Sequence, residues 1–280
     1  MRTELRCDSI GRRQARAAKG LAGIAAVAAL ACVFLMQGAR AAEPVVVDLP
    51  IANGVTERVL YRAPDNPKLA LVMLPGGDGI IALGPDGKIG RGGNFLVRTR
   101  EKWVARGAAV AIPDAPSDGK SLYYLRLSPF YAQAVRAIVA FLHSRTRAPV
   151  WVVGTSQGTN AAANAAAAMT HGEIAGLVLT SSLTRAGGKP ELQETVFGTD
   201  LAAINVPVLI ASHVDDACIL SPPSDNARLK AMLTRSPKTA IITAAGGLPP
   251  RSQPCDAESP HGFYGVEDDT IARILAWIGA

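Results

Sequence analysis

Val150-Trp151-Val152-Val153-Gly154-Thr155-Ser156-Gln157-Gly158 is the stretch that decides how this chain is read. Four apolar residues run into a Gly-x-Ser-x-Gly element, and a segment of Ala and small polar residues follows to Met169. An apolar run, a tight turn and a small-residue helix form the setting in which such a serine becomes a nucleophile. Glycines on both sides remove Cβ atoms that would strike neighbouring backbone. The serine also stands at a helix start, where developing negative charge is favoured. Ser156 is therefore the candidate nucleophile. The plainer alternative is an accidental turn serine, since a chain this rich in glycine shows the motif by chance about one time in ten; the strand–turn–helix setting favours the nucleophile.

Outward from this element, short apolar runs alternate with helix-like stretches. The expected strands are Val45–Leu49, Val55–Tyr61, Leu69–Leu74, Ala108–Pro113, Val150–Val153, Leu177–Ser181, Val208–Ser212 and Thr239–Thr243. From the third onward they are mostly continuous apolar runs, as in parallel strands covered on both faces. The first two follow each other directly and suit an antiparallel hairpin. Helices are expected over Asn94–Arg106, Ser128–Ser144, Gly158–Met169, Ser224–Leu233 and Asp269–Ile278. Asn94 is a candidate N-cap, and Pro129 suits a first helical turn. Strand and helix in alternation specify an α/β fold with a mostly parallel sheet of about eight strands. Gly76–Gly93 and Leu248–Pro260 are expected loops. Only about 25 residues separate the strand ending near Ser182 from the one beginning near Val208, too few for a large cap domain.

A serine nucleophile needs a base. Of the four histidines, His143 lies late in a helix and His171 ends the helix after the elbow, where it resembles a cap. His213 follows an expected strand. His261 lies in Ser259-Pro260-His261-Gly262-Phe263, after the last strand and before the final helix. A loop there can carry an imidazole over the carboxyl edge of the sheet, so His261 is the candidate base. The strand Val208–Ser212 runs directly into His213-Val214-Asp215-Asp216. Either aspartate emerges at that same edge, where sites of open α/β sheets gather. Each is a candidate for the acid that orients the base.

With Ser156, an aspartate and His261 in that chain order, the sequence resembles the α/β-hydrolase superfamily over nearly the whole of residues 42–280. More narrowly it is similar to small exported bacterial serine hydrolases. The similarity rests on Gly76-Gly77-Asp78-Gly79, on Gly93-Asn94-Phe95-Leu96-Val97-Arg98, on the His213-x-x-Asp216-x-Cys218 loop and on His261-Gly262-Phe263. The resemblance implies Asp216 as the acid. It also implies an oxyanion hole made by the amide of Gly77 or Asp78 together with that of Gln157. Asp78 departs from many lipases, where a third glycine often stands. A phosphate-binding role for the glycine-rich loop fits poorly, because Gly87-Lys88 lacks the following Ser/Thr and the spacing.

Composition narrows the rest. The 280 residues are 49% hydrophobic and 19% charged, which excludes an intrinsically disordered chain. The net charge of +6 misleads, because residues 1–41 hold seven Lys/Arg and only two acids; the remaining 22 basic and 21 acidic residues nearly cancel. With 5% aromatics, this body carries neither the charge nor the stacking platform of a nucleic-acid binder. The leader has a basic start, the uncharged apolar run Leu21–Met36 and then Ala39-Arg40-Ala41, the layout of a secretory signal. Residues 1–41 are expected to be removed, leaving a single domain at 42–280 in the periplasm or outside the cell, with no membrane attachment. An uncleaved anchor, twin-arginine export through Arg12-Arg13 and a lipoprotein at Cys32 are the alternatives. Two cysteines then remain, Cys218 and Cys255, and export favours their pairing. They and the scattered histidines lack zinc-ligand spacing, so neither a metal nor another cofactor is expected. The expected activity is hydrolysis of a small carboxylic ester. The rivals are a binding protein on the same fold, and an acyltransferase or thioesterase.

Overall fold

In the computed structural model, which describes residues 43–170 and 172–280, one eight-stranded sheet forms the centre of the molecule. Its strands are β1 (Val45–Ala52), β2 (Val55–Arg62), β3 (Leu69–Leu74), β4 (Ala108–Pro116), β5 (Val150–Thr155), β6 (Gly176–Thr180), β7 (Val208–His213) and β8 (Thr239–Ala244). Their spatial order is β1-β2-β4-β3-β5-β6-β7-β8. The β1–β2 hairpin is antiparallel, and β2 also pairs antiparallel with β4. All other neighbours are parallel. The continuous apolar runs are the strands fully buried on both faces, β3, β5, β6 and β7.

Period-two alternation sorts these strands into two cores. Ala70, Val72 and Leu74 of β3 and Val150 and Val152 of β5 face one layer, with Tyr131, Ile138 and Leu142. Leu69, Leu71 and Met73, with Trp151 and Val153, face the other, against Phe95, Trp103 and Ile274. The first layer is covered by α3 (Pro129–Arg145) and α4 (Gly158–Ala168), and α5 (Asn226–Met232) adds Leu229 to it. The second is covered by α1 (Phe95–Arg98), α2 (Arg100–Ala105) and α6 (Glu267–Ile278).

One expected element is corrected. The helix over Asn94–Arg106 is two short helices, α1 and α2, joined at Thr99. The Thr99 hydroxyl donates to the Phe95 carbonyl (2.6 Å) and accepts from the Trp103 indole N–H (3.1 Å). A threonine bonded back to its own preceding turn competes with the regular helical ladder and bends the chain. The predicted cap at Asn94 forms, its side chain accepting from the Leu96 N–H (3.1 Å); Pro129 does open its helix, and Ser128 before it accepts from the Tyr131 N–H (3.1 Å). The segment between β6 and β7 holds three single-turn 3-10 helices and no inserted domain. No helix among the described residues is long and apolar enough to cross a membrane. The leader and His171 lie outside the described residues.

Candidate active site

The site is built at the carboxyl ends of β5 and β7. β5 ends in the elbow, where Ser156 takes a left-handed backbone conformation (φ 53°). A non-glycine residue held there stores strain, which the surroundings must offset. The Ser156 N–H donates to the Thr180 carbonyl at the end of β6 (2.9 Å), and its own carbonyl accepts from the Thr159 hydroxyl (2.6 Å). The flanking glycines are required by space. A Cβ on Gly158 would lie 2.1 Å from the Leu74 carbonyl oxygen, and one on Gly154 would lie 2.5 Å from the Gly158 oxygen. The elbow can thus press α4 against β3 only with hydrogen at both positions.

His261 and Asp216 meet across this edge. Nδ1 of His261 lies 2.9 Å from Oδ2 of Asp216, and the Asp216 side chain is fully buried. The second carboxylate oxygen accepts from the Cys218 N–H (2.9 Å). A carboxylate can only accept, so Nδ1 carries the proton and Nε2 presents its lone pair. Nε2 is buried and has no hydrogen-bond partner among the described residues. Asp215, by contrast, has a side chain 71% exposed, and its nearest imidazole is His213 at 3.9 Å. Of the two adjacent carboxylates, the structure therefore pairs only Asp216 with His261. His213 is occupied otherwise, accepting from the Asp215 N–H and bonding the Gly246 carbonyl at 2.9 Å. His143 bonds the Glu173 carbonyl at the surface.

The base loop is tied down from several directions. The Ser181 hydroxyl donates to the His261 carbonyl (2.7 Å). Arg98 donates to the carbonyls of Gly262 (2.5 Å) and Gly93 (3.1 Å) and pairs with Glu267 (2.9 Å). Phe263, itself left-handed (φ 59°), packs its ring 4.8 Å from Phe95. Cys218 and Cys255 form a disulfide, which joins the acid loop to the segment leading into the base.

Ser156 and His261 line one cleft of about 450 Å³, together with Gly77, Asp78, Arg91 and Phe95. The amides of Gly77, Asp78 and Gln157 donate no hydrogen bond among the described residues. The Asp78 carboxylate bonds the Ile80 N–H (3.1 Å) and pairs with Arg91 (2.7 Å), so its charge is turned along the rim. Behind the loop lies Arg126, 1% exposed. Its guanidinium donates to the Gly77 carbonyl (2.8 Å), to Gln157 Oε1 (3.2 Å) and, at 3.4 Å, to the Pro75 carbonyl. Burial lowers its pKa to about 10, which still leaves it charged at neutral pH. No group of His, Cys, Asp and Glu suited to a metal occurs among the described residues.

Neither Arg98 nor Arg126 nor Ser181 stands out as a site residue in the sequence. The one available signal for Arg126 is a lone cation inside the apolar stretch Leu122-Tyr123-Tyr124-Leu125-Arg126-Leu127.

Known proteins with this fold are distant in sequence. No family model matches the chain, and neither does any curated protein. Among solved structures, the Pf2001 esterase of Pyrococcus furiosus superimposes with a TM-score of 0.60 at 14% identity, covering 85% of this chain and 91% of that one. XC6422 of Xanthomonas campestris, an α/β serine hydrolase without a lid, gives 0.55 at 15% identity, over 86% and 96%. TT1662 of Thermus thermophilus gives 0.54 at 18%, over 85% and 100%. The chain has the α/β-hydrolase fold. In α/β-hydrolase terms, the cleft lies at the carboxyl edge of the central sheet, and the elbow follows its fifth strand.

Proposed function

We propose that this α/β-hydrolase is an exported serine hydrolase of small carboxylic esters, with Ser156 as nucleophile, His261 as base and Asp216 as the acid that orients it. One observation carries the reading. Nε2 of His261, its lone pair left free by the Nδ1–Asp216 bond, belongs to a residue that shares a cleft with a serine held on a strained elbow.

In this mechanism the Ser156 hydroxyl attacks the ester carbonyl and passes its proton to Nε2. Asp216 stabilises the imidazolium without taking its proton. The amide of Gly77 or Asp78, with that of Gln157, receives the negative charge on the carbonyl oxygen, where each donor contributes about 3–4 kcal/mol to the barrier reduction. The tetrahedral intermediate then collapses. The C–O bond to the alcohol breaks, and the imidazolium protonates the departing alkoxide. Water, deprotonated by the same nitrogen, attacks the acyl-enzyme; the bond from the acyl carbon to Ser156 Oγ then breaks, and the imidazolium returns its proton to Oγ as the acid leaves. A cleft of about 450 Å³ has room for a small ester.

Purified protein lacking residues 1–41, offered p-nitrophenyl esters of increasing acyl length and a fluorophosphonate probe, tests the reading. Turnover and labelling that both vanish in Ser156→Ala support it. A folded protein that neither turns over nor labels is a binding protein instead. For export, the reading draws on the leader and on the disulfide, a bond that persists in oxidising compartments. Mass analysis of the protein recovered from the periplasm or medium should place its first residue near Ala42.

A further inference from the structure

The oxyanion site of this reading is assembled from two separate pieces of chain, the loop after β3 and the elbow after β5. Something must set the distance and angle between them. Packing alone is a weak candidate, because the loop is Gly76-Gly77-Asp78-Gly79, rich in the residue with the widest backbone freedom. Among the described residues, the side chain that hydrogen-bonds both pieces is Arg126.

We propose that Arg126 is the positioning residue of the oxyanion site, holding the glycine loop and the nucleophile elbow in register from behind. This rests on the ester-hydrolase reading above.

The geometry is specific. Arg126 bonds the carbonyls of Pro75 and Gly77, the peptide units on either side of the one that carries the Gly77 N–H. Each peptide unit is planar and trans, so fixing a carbonyl fixes the N–H that lies opposite it in the same plane. The Asp78 amide is therefore aimed directly by the guanidinium, and the unit that carries the Gly77 N–H is held between two braced neighbours. The bond to the Gly77 carbonyl also polarises the amide whose other end is the Asp78 N–H, making that N–H a stronger donor. The other prong reaches Gln157 Oε1, on the residue whose own amide is the second donor. The brace is rigid at its base as well. Asn164 of α4 donates to the carbonyls of both Arg126 and Ser128 (3.0 Å each).

The residue type points the same way. Arg126 has no salt-bridge partner among the described residues, although it is almost fully buried. A buried cation met only by carbonyl and amide oxygens, with its Nε unpartnered among the described residues, is costly for a fold. A methionine or leucine would fill such a place at lower cost. A planar fork with several donors is what bridging two backbone segments requires.

The test compares Arg126→Met and Arg126→Lys with wild type, by p-nitrophenyl acetate kinetics, the inhibition constant of phenylboronic acid, and thermal melting. The boronate forms a tetrahedral adduct on the serine and so reports on oxyanion geometry. Arg126→Met is expected to lower kcat/KM about 100-fold, the typical cost of a misplaced catalytic group, and to weaken the boronate about tenfold or more. Arg126→Lys, which keeps a charge and one donor, should recover at least about tenfold of that loss in kcat/KM. A merely structural arginine would lower the melting temperature and leave boronate affinity of the folded protein alone. If Arg126→Met does not fold, Gln157→Leu decides, since it keeps the backbone amide and removes the bond to Arg126; Tyr123→Phe, which removes the phenol beside the same side chain, is its control. A loss of about tenfold in kcat/KM with a near-unchanged melting temperature supports the proposal. Wild-type kinetics and boronate affinity in a folded Arg126→Met, or in Gln157→Leu, overturn it while the ester-hydrolase reading stands. Wild-type protein that neither hydrolyses the ester nor reacts with fluorophosphonate overturns both.

Discussion

The nucleophile and its base are held by opposite means. Ser156 stands where a central, fully buried strand meets a helix, and what secures it is closeness. Gly154 and Gly158 bring backbone to within contact distance, and neighbouring carbonyls and hydroxyls take up the strained turn. His261 and Asp216 ride on two loops 45 residues apart in sequence. They are secured by cross-links: a disulfide, the fork of Arg98, the hydroxyl of Ser181 and the carboxylate–imidazole bond itself. The comparison separates two ways of holding a reactive side chain. Where the chain is already in the sheet, removing side-chain bulk suffices. Where it leaves the sheet, bonds must be added. Substitutions in the first half should therefore act through stability and geometry together, and those in the second through alignment first.

Ser156→Ala is expected to show the largest loss, a fall in kcat of about 10⁵–10⁶, as for the loss of other triad nucleophiles, with thermal melting unchanged. Kinetics of carefully purified variant read it; activity within tenfold of wild type would remove Ser156 from the mechanism. Asp216→Asn follows, with a drop of about 10³–10⁴, since an amide there favours the wrong imidazole tautomer. Gly158→Ala belongs to the packing half. Its Cβ would meet the backbone oxygen of Leu74, so it should destabilise the protein by about 3 kcal/mol or more and lower kcat/KM about 100-fold in whatever still folds. A melting temperature near wild type would show that the elbow tolerates bulk. Reduction of Cys218–Cys255 comes next. The bond spans a sequence separation of 37 residues, and the chain-entropy model assigns such a loop about 4 kcal/mol. Mild reduction should lower kcat several-fold at temperatures where far-UV circular dichroism is unchanged. Unaltered activity after verified reduction would mean that the bond stabilises the fold without aligning the pair. Asp215→Asn should be the quietest, within about twofold of wild type, because an exposed carboxylate in solvent contributes little. A larger effect than that of Asp216→Asn would reverse the assignment of the acid.

The same division governs what could be read in advance. The packing half was legible because closeness leaves its mark in composition: glycines around Ser156, then a run of alanines, after a strand with no polar residue. The buried strands β3, β5, β6 and β7 were legible for the same reason, and the partly buried β1, β2 and β8 from shorter apolar stretches. The cross-linked half was legible only in outline. His261 could be picked out by its place after the last strand, but two adjacent aspartates could not be told apart locally, because which one turns inward depends on the loop beyond β7. Arg126 was missed because its partners are backbone carbonyls and one glutamine, and carbonyls carry no residue-specific signal. The break at Thr99 was missed because it depends on a hydroxyl bonding both the preceding turn and the Trp103 indole.

The connection between β6 and β7, built of three single 3-10 turns, has a consequence for how the enzyme proposed here would meet its substrate. With no inserted domain among the described residues, no cap domain has to swing aside between encounter and attack. Such a hydrolase has nothing for an oil–water boundary to pry open. Its rate on a sparingly soluble ester should follow the concentration of dissolved monomer, then level off at the solubility limit instead of jumping there. Acid and alcohol would leave by the route the ester entered. Discrimination between esters would then fall to fixed features of the rim, the Asp78–Arg91 pair foremost, and not to the timing of a closure.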